Sequence, residues 1–201
     1  MTDYPLYAWL EALPAPRADE ETDVLISRCL AGDEAAMVAL YNQHAGMVFR
    51  LAYSLLQHQQ DAEEVLQDSF EYALRRLDHF DHRKSAFTTW LYRITVSRCR
   101  NKRRRKWLPA VSMQQLVDQD AKDHDAPQGD DALLTNERQR AVWKALGALS
   151  PKLREVAILR YYGGLPYDEI GAILDIPAKT AESRMRLAHK ALRDLLVDEI
   201  A

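Results

Sequence analysis

Apolar residues recur at helical spacing through two long stretches of this chain, residues 22–107 and 136–201, and strand-like alternation never persists for more than a few residues. That pattern predicts an all-α protein. Between the stretches, residues 108–135 (LPAVSMQQLVDQDAKDHDAPQGDDALLT) lose the periodicity and carry Pro109, Pro127, Gly129 and an aspartate cluster, the composition of a flexible acidic linker. Residues 1–21, rich in proline and acidic side chains, read as a loosely held N-terminal arm. The expectation is two small helical domains, 22–107 and 136–201, joined by that linker.

Local signals divide the first stretch further. Asp23 can cap a helix carrying Leu25, Ile26, Cys29 and Leu30, and Gly32-Asp33 breaks and restarts the chain. A second helix places Met37, Leu40, Tyr41, Met47, Val48, Leu51, Ala52 and Leu55 on one broad side. Asp61 can cap a third, with Val65, Leu66, Phe70, Ala73, Leu74 and Leu77 inward. After the loop Asp78–Ser85, a fourth shows Phe87, Trp90, Leu91, Ile94 and Val96 and then turns basic. In the second stretch, Val142, Trp143, Leu146 and Leu149 mark one helix. Ser150-Pro151, a capping hydroxyl before a first-position proline, starts the next. Gly163-Gly164 ends it, and two helices follow at about 167–174 and 178–196.

Composition excludes several classes of function. The chain is 47% hydrophobic, enough for packed cores, yet holds no apolar run of eighteen residues, so membrane insertion is not expected. Cys29 and Cys99 form no metal-ligand spacing, which fits a reduced, cytoplasmic protein. Gly-rich phosphate loops, His/Cys metal clusters and nucleophile motifs are missing. His44, His58, His79, His82, His124 and His189 are scattered, and Glu63-Glu64 point to adjacent helix faces. Neither an enzyme nor a cofactor is expected. The net charge of −3 conceals strong segregation: Arg98–Lys106 (RCRNKRRRK) has seven basic residues in nine, whereas Asp118–Asp131 has six aspartates against Lys122. Charges more than about 8–10 Å apart are largely screened at cellular salt, so such local clusters decide partners.

The last two helices have the makings of a helix-turn-helix. Ile170, Ile173 and Leu174 give a support helix its buried side, and Ile176 plugs the turn. Ala181, Met185, Ala188 and Leu192 form the next helix's apolar stripe. The opposite face offers Lys179, Thr180, Glu182, Ser183, Arg184, Arg186, His189 and Lys190. Arginine can bind guanine edges or clamp phosphates, and lysine supplies phosphate contacts. An amphipathic helix with a solvated basic face has the same periodicity. The string LSPKLREVAILRYYGGLPYDEIGAILDIPAKTAESRMRLAHKALRDLL, however, closely resembles the fourth domain of RNA polymerase sigma factors, which reads the promoter −35 element. LuxR-type regulators share a related tetrahelical unit. Three positions depart from the sigma pattern: Pro166 replaces a capping serine, Glu182 stands where Arg or Lys is usual, and Leu187 replaces a polar residue.

The strings DAEEVLQDSFEYALRRLDHF and FTTWLYRITVSRCRNKRRRK resemble the second domain of the extracytoplasmic-function sigma family. Two matches in the right order identify the chain as a member of that family more specifically than either alone. The resemblance implies a promoter-recognising, non-enzymatic initiation subunit. It implies that Glu64, Gln67, Asp68, Glu71 and Arg75 dock on the Arg-rich β′ clamp helices of core RNA polymerase, to which an acidic face is complementary. It implies that the loop 80–87, with His82, Arg83, Lys84 and Ser85, captures a flipped base of the −10 element. Arg93, Ser97, Arg98, Arg100, Lys102 and Arg103 would continue that DNA surface, the arginines and lysine by neutralising phosphates. Trp90 fits two places, the melted fork or the core, and Arg103–Lys106 suit a nonspecific anchor at least as well as base reading. The implied partners are core polymerase (β′ clamp helices and β flap), promoter DNA and an anti-sigma factor, although no residue identifies the last. The linker suits either a transcript mimic in the RNA exit channel or a tether.

Overall fold

The computed structural model describes residues 20–107 and 137–200; the N-terminal arm and the acidic linker expected from the sequence lie largely outside them. Every regular element among the described residues is helical. The first module contains α1 (Glu20–Leu30), α2 (Glu34–Leu56), α3 (Gln59–Arg75), a 3₁₀ turn (Leu77–His79) and α4 (Phe87–Trp107). The second contains α5 (Glu137–Ala148), α6 (Pro151–Tyr161), α7 (Tyr167–Leu174) and α8 (Ala178–Ile200).

The break at Gly32-Asp33 forms as expected. Gly32 takes a positive φ of 86°, and the Asp33 carboxylate accepts from the Ala36 N–H at 3.1 Å. Arg28 pairs with the same carboxylate at 2.7 Å and holds its pKa below the ordinary carboxylate value. Three other expected caps are corrected. α1 begins at Glu20, ahead of Asp23, whose carbonyl accepts from the Ser27 hydroxyl within the helix. At α3 the cap is His58, whose Nδ1 accepts from the Asp61 N–H at 3.3 Å. Asp61 lies buried in the first turn, where its carboxylate faces Lys102 at 3.5 Å. Pro151 does begin α6, but the Ser150 hydroxyl makes no capping bond. Proline's preset φ and missing N–H leave less to cap there.

The apolar residues form two clusters, and their division is not the division of the sequence. One, of Leu25, Ile26, Leu40, Val48, Phe70, Leu77, Phe87, Leu91 and Ile94, belongs to the first module. The other joins Trp143, Leu146, Ile158, Leu159, Ile170, Met185 and Leu192 of the second module to Leu51, Tyr53, Leu55, Tyr92, Val96 and Cys99 of the first. The modules therefore share a core. Within it the Tyr53 ring stacks on Trp143 at 4.7 Å. This explains why α2 is buried on all sides from Leu51 to Leu55: one side meets α3 and α4, and another meets α6. α2 ends in a left-handed residue, Gln57 (φ 52°), whose side-chain amide donates to the Trp143 carbonyl at 2.7 Å. A Cβ at Gly147 would lie 2.3 Å from the Gln57 Oε1, so a side chain there would displace the Gln57 amide from this approach.

The turn between α7 and α8 is equally tight. Asp175 closes α7 in the left-handed region (φ 59°), and Ile176 packs against the shared core. A Cβ at Gly171 would meet the Ile176 carbonyl at 2.6 Å, and that oxygen is fixed by the turn. Gly171→Ala is therefore expected to lower unfolding stability by about 1–3 kcal/mol through overpacking, despite alanine's better helix propensity. Leu40→Ala, at a wholly buried site, is expected to cost about 2–5 kcal/mol. Denaturant titration followed by circular dichroism measures both. A neutral Gly171→Ala would show that the turn can shift.

Candidate nucleic-acid and polymerase interfaces

α8 divides cleanly along its length. Ala181, Met185, Ala188, Leu192 and Leu196 are buried, while Lys179, Glu182, Ser183, Arg186, Leu187 and Lys190 are exposed and Thr180 and Arg184 are half-buried. The Arg186 guanidinium donates to the Ser183 hydroxyl at 3.3 Å, which lays it along the helix surface. His189 differs from the other expected reader residues. Its ring contacts the Tyr161 hydroxyl of α6 at 2.7 Å, on the flank of the helix. Desolvation, and then the nearby Arg193, lower its pKa below the ordinary histidine value, which favours the neutral ring.

α3 presents the expected acidic face. Glu64, Gln67, Asp68, Glu71 and Arg75 are all exposed, and Val65, Phe70 and Ala73 turn inward. Glu71 and Arg75 pair with each other one turn apart, and Glu64 pairs with Lys102 of α4. Tyr72 stands beside this face with the Arg98 guanidinium over its ring at 4.6 Å.

The loop before α4 is organised by a single carboxylate. Asp81 accepts from the Arg83 Nε at 2.9 Å and faces the Lys84 ammonium at 3.7 Å, and Arg83 pulls its pKa down to about 2. Arg83 and Lys84 stay exposed, as does His82, while Ser85 is half-buried. Phe80, Phe87 and Trp90 form an aromatic cluster with ring separations of 5.3–5.7 Å. Trp90 is thus a partly covered member of the core's edge, with some of its ring still open.

α4 contains the main departure from what the sequence suggests. Arg93, Arg100 and Arg103 turn toward the second module. Arg93 donates to the Ala172 carbonyl at 2.6 Å, while Arg100 and Arg103 converge on Glu155 of α6 at 2.7 and 2.5 Å. Glu155 is only 2% exposed. Ser97 remains exposed, and Lys102 is occupied by Asp61 and Glu64. The functional residues that sequence reasoning missed are therefore Glu155 and Gln57, which hold the modules together. Glu155 did leave a trace: it is a lone carboxylate next to the apolar run Val156–Leu159. Arg154, beside it, donates to the Leu55 carbonyl at 3.2 Å across the same seam, and burial pushes its pKa down to about 10. It remains charged at pH 7.

Comparison with known proteins places this geometry in a group. Sigma-70 region 2 matches residues 40–108, and Sigma-70, region 4 matches residues 139–192. The ECF RNA polymerase sigma factor SigW of Bacillus subtilis is 30% identical over 86% of this chain and 95% of its own length. The ECF RNA polymerase sigma-E factor of Salmonella typhimurium is 32% identical over 87% of this chain and 94% of its own. Among solved structures, CnrH in complex with the cytosolic domain of CnrY superposes with a TM-score of 0.65 at 25% identity, covering 90% of this chain and 99% of that one. The sigma factor RpoE of Bartonella quintana, in complex with the anti-sigma factor NepR, gives 0.59 at 25% identity over 76% of this chain and 91% of its own.

The Glu155 contacts make a direct prediction. Glu155→Gln keeps the volume but removes the charge that two guanidinium groups share. Stability is expected to fall by about 1–3 kcal/mol, the range for a weakened buried polar partner. Energy transfer between dyes placed on α3 and α8 is expected to drop as the modules separate. If the variant matches the parent in both measurements, Glu155 does not hold the seam.

Proposed function

The chain belongs to the extracytoplasmic-function family of RNA polymerase sigma factors and directs transcription initiation; we propose that it does so with three surfaces, of which one is partly covered in the closed arrangement. The acidic face of α3, with Asp68 and Glu71 at its centre and Glu64, Gln67 and Arg75 around them, docks on the β′ clamp helices of core polymerase. The cationic face of α8, chiefly Lys179, Ser183, Arg184, Arg186 and Lys190, reads the −35 element in the major groove. The loop 80–87 with α4 takes the −10 element and assists its melting. The observation that carries this reading is the presence of exposed faces of opposite sign on two modules: an acidic one suited to protein, a basic one suited to DNA.

The third surface must be released. Arg93, Arg100 and Arg103 serve the second module while the chain is closed, so engaging −10 DNA goes with parting of the modules. Phosphates then replace Glu155 as partners of the arginines, a like-for-like exchange of anions. Counterion release from DNA favours that exchange at low salt. The role is non-catalytic and belongs in the cytoplasm, with the DNA. An anti-sigma factor is the expected regulatory partner, since both structural relatives described above carry an additional protein, named as an anti-sigma factor in the Bartonella complex.

Reconstituted transcription tests the reading. The purified chain alone is expected to bind promoter duplex poorly, yet to support specific run-off transcription with core polymerase. Asp68→Lys combined with Glu71→Lys is expected to weaken core binding at least about tenfold by setting like charges against the clamp helices. Arg184→Ala with Arg186→Ala is expected to reduce −35-dependent transcription by about 5- to 150-fold, the discrimination of one good base contact. Unchanged core affinity would refute the docking face, and unchanged promoter dependence would remove the two arginines as readers.

A further inference from the structure

Leu187 is 58% exposed, and nothing in the fold of α8 calls for an apolar side chain there. The helix's own packing is complete on the opposite side, through Ala181, Met185, Ala188 and Leu192. On the helix surface, residues three and four apart are neighbours, so Leu187 is bordered by Ser183, Arg184 and Lys190. A large apolar group thus stands within a cationic surface of the kind that meets phosphates. We propose that Leu187 is a specificity residue that contacts the C5-methyl group of a thymine in the −35 element. The proposal rests on the assignment of α8 to the major groove.

The chemistry of the groove supports this occupant. Leucine cannot donate to guanine N7 or O6, nor accept from cytosine N4, and each of those edges would be desolvated against it without compensation. Thymine alone among the four bases offers a methyl group in the major groove. Lys190, one turn along, holds the DNA backbone, which helps to fix the distance at which Leu187 meets the bases. A protein partner is the rival occupant, because Ala191 and Leu195 continue the row one and two turns along. That continuation runs beside Asp194 and away from the basic residues, so charge favours DNA at Leu187 and leaves Leu195 outside the contact.

Replacing thymine by deoxyuridine removes only the methyl and preserves base pairing, which makes the test specific. A strong promoter is first selected from a randomised library with holoenzyme containing the full chain. Each thymine of its −35 element is then replaced singly by deoxyuridine. The expected result is one position at which the substitution weakens initiation about fourfold, the worth of roughly one buried methyl group. Leu187→Ala, which keeps helix propensity, is expected to lose that sensitivity alone and to retain core affinity. Leu187→Arg is expected to shift the preferred base at the same position from thymine toward guanine. Equal deoxyuridine sensitivity in the parent and in Leu187→Ala at every position overturns the proposal. So does a loss of core binding in Leu187→Ala with an unchanged base profile, which assigns the side chain to a protein contact. If scrambling the whole −35 element costs the parent nothing, the groove assignment of α8 itself fails, a result distinct from the other two.

Discussion

Glu155 sits where the two modules meet, and its surroundings set the terms for the rest of the molecule. A carboxylate that is 2% exposed is costly to bury unless it is both paired and hydrogen-bonded. Arg100 and Arg103 meet that need from the other module. Such pairs seldom add much net stability, because desolvation consumes most of the attraction. They are instead selective: a slid or rotated docking would leave a buried charge alone. The apolar residues around them supply attraction without direction. The carboxylate on α6 therefore helps to fix the register in which α4 lies on α7, and that register decides which basic side chains remain open to solvent.

The consequence for charge is an unequal availability of surfaces. The basic face of α8 and the acidic face of α3 are open in the closed arrangement, whereas much of the inner part of the basic run on α4 is engaged. A chain with a net charge of −3 can in this way hold one cationic face ready while another is internally neutralised. The excess of acid is not a mere diluent. Some of it, at Glu155, Asp61 and Glu64, is placed against particular basic residues.

Much of this architecture was legible in the sequence because much of it is local. The glycine-aspartate break before α2, proline at the start of α6 and the bounds of α7 depend on neighbours a few residues away. So does the sidedness of α3 and α8, which the 3.6-residue period exposes directly. What could not be read depends on residues far apart. Arg100 and Glu155 are 55 positions apart, and Gln57 and Trp143 are 86 apart. No helical period links such pairs, and a run of arginines reads as a DNA surface whether or not another helix covers it. Gln57 has a further disguise, since glutamine is not a usual sign of a left-handed helix end. α3 starts two residues before Asp61, so the cap falls to His58, and Asp61 in the first turn faces Lys102. The helical period puts His189 on the outer face of α8, and the contact of its ring with Tyr161, 28 positions away, lies beyond what that period can show.

The stacking of Tyr53 on Trp143 gives the seam between modules an aromatic contact beside its charged ones. Once the modules part, water can satisfy the Trp143 carbonyl, but it offers the two rings nothing equivalent. The adhesive part of the seam is thus the part whose strength varies most with temperature. Apolar association weakens on cooling, with a heat-capacity change proportional to the area uncovered. For the proposed parting of the modules, the balance is consequently a thermal quantity as well as an electrostatic one, and it is expected to tilt toward parting in the cold.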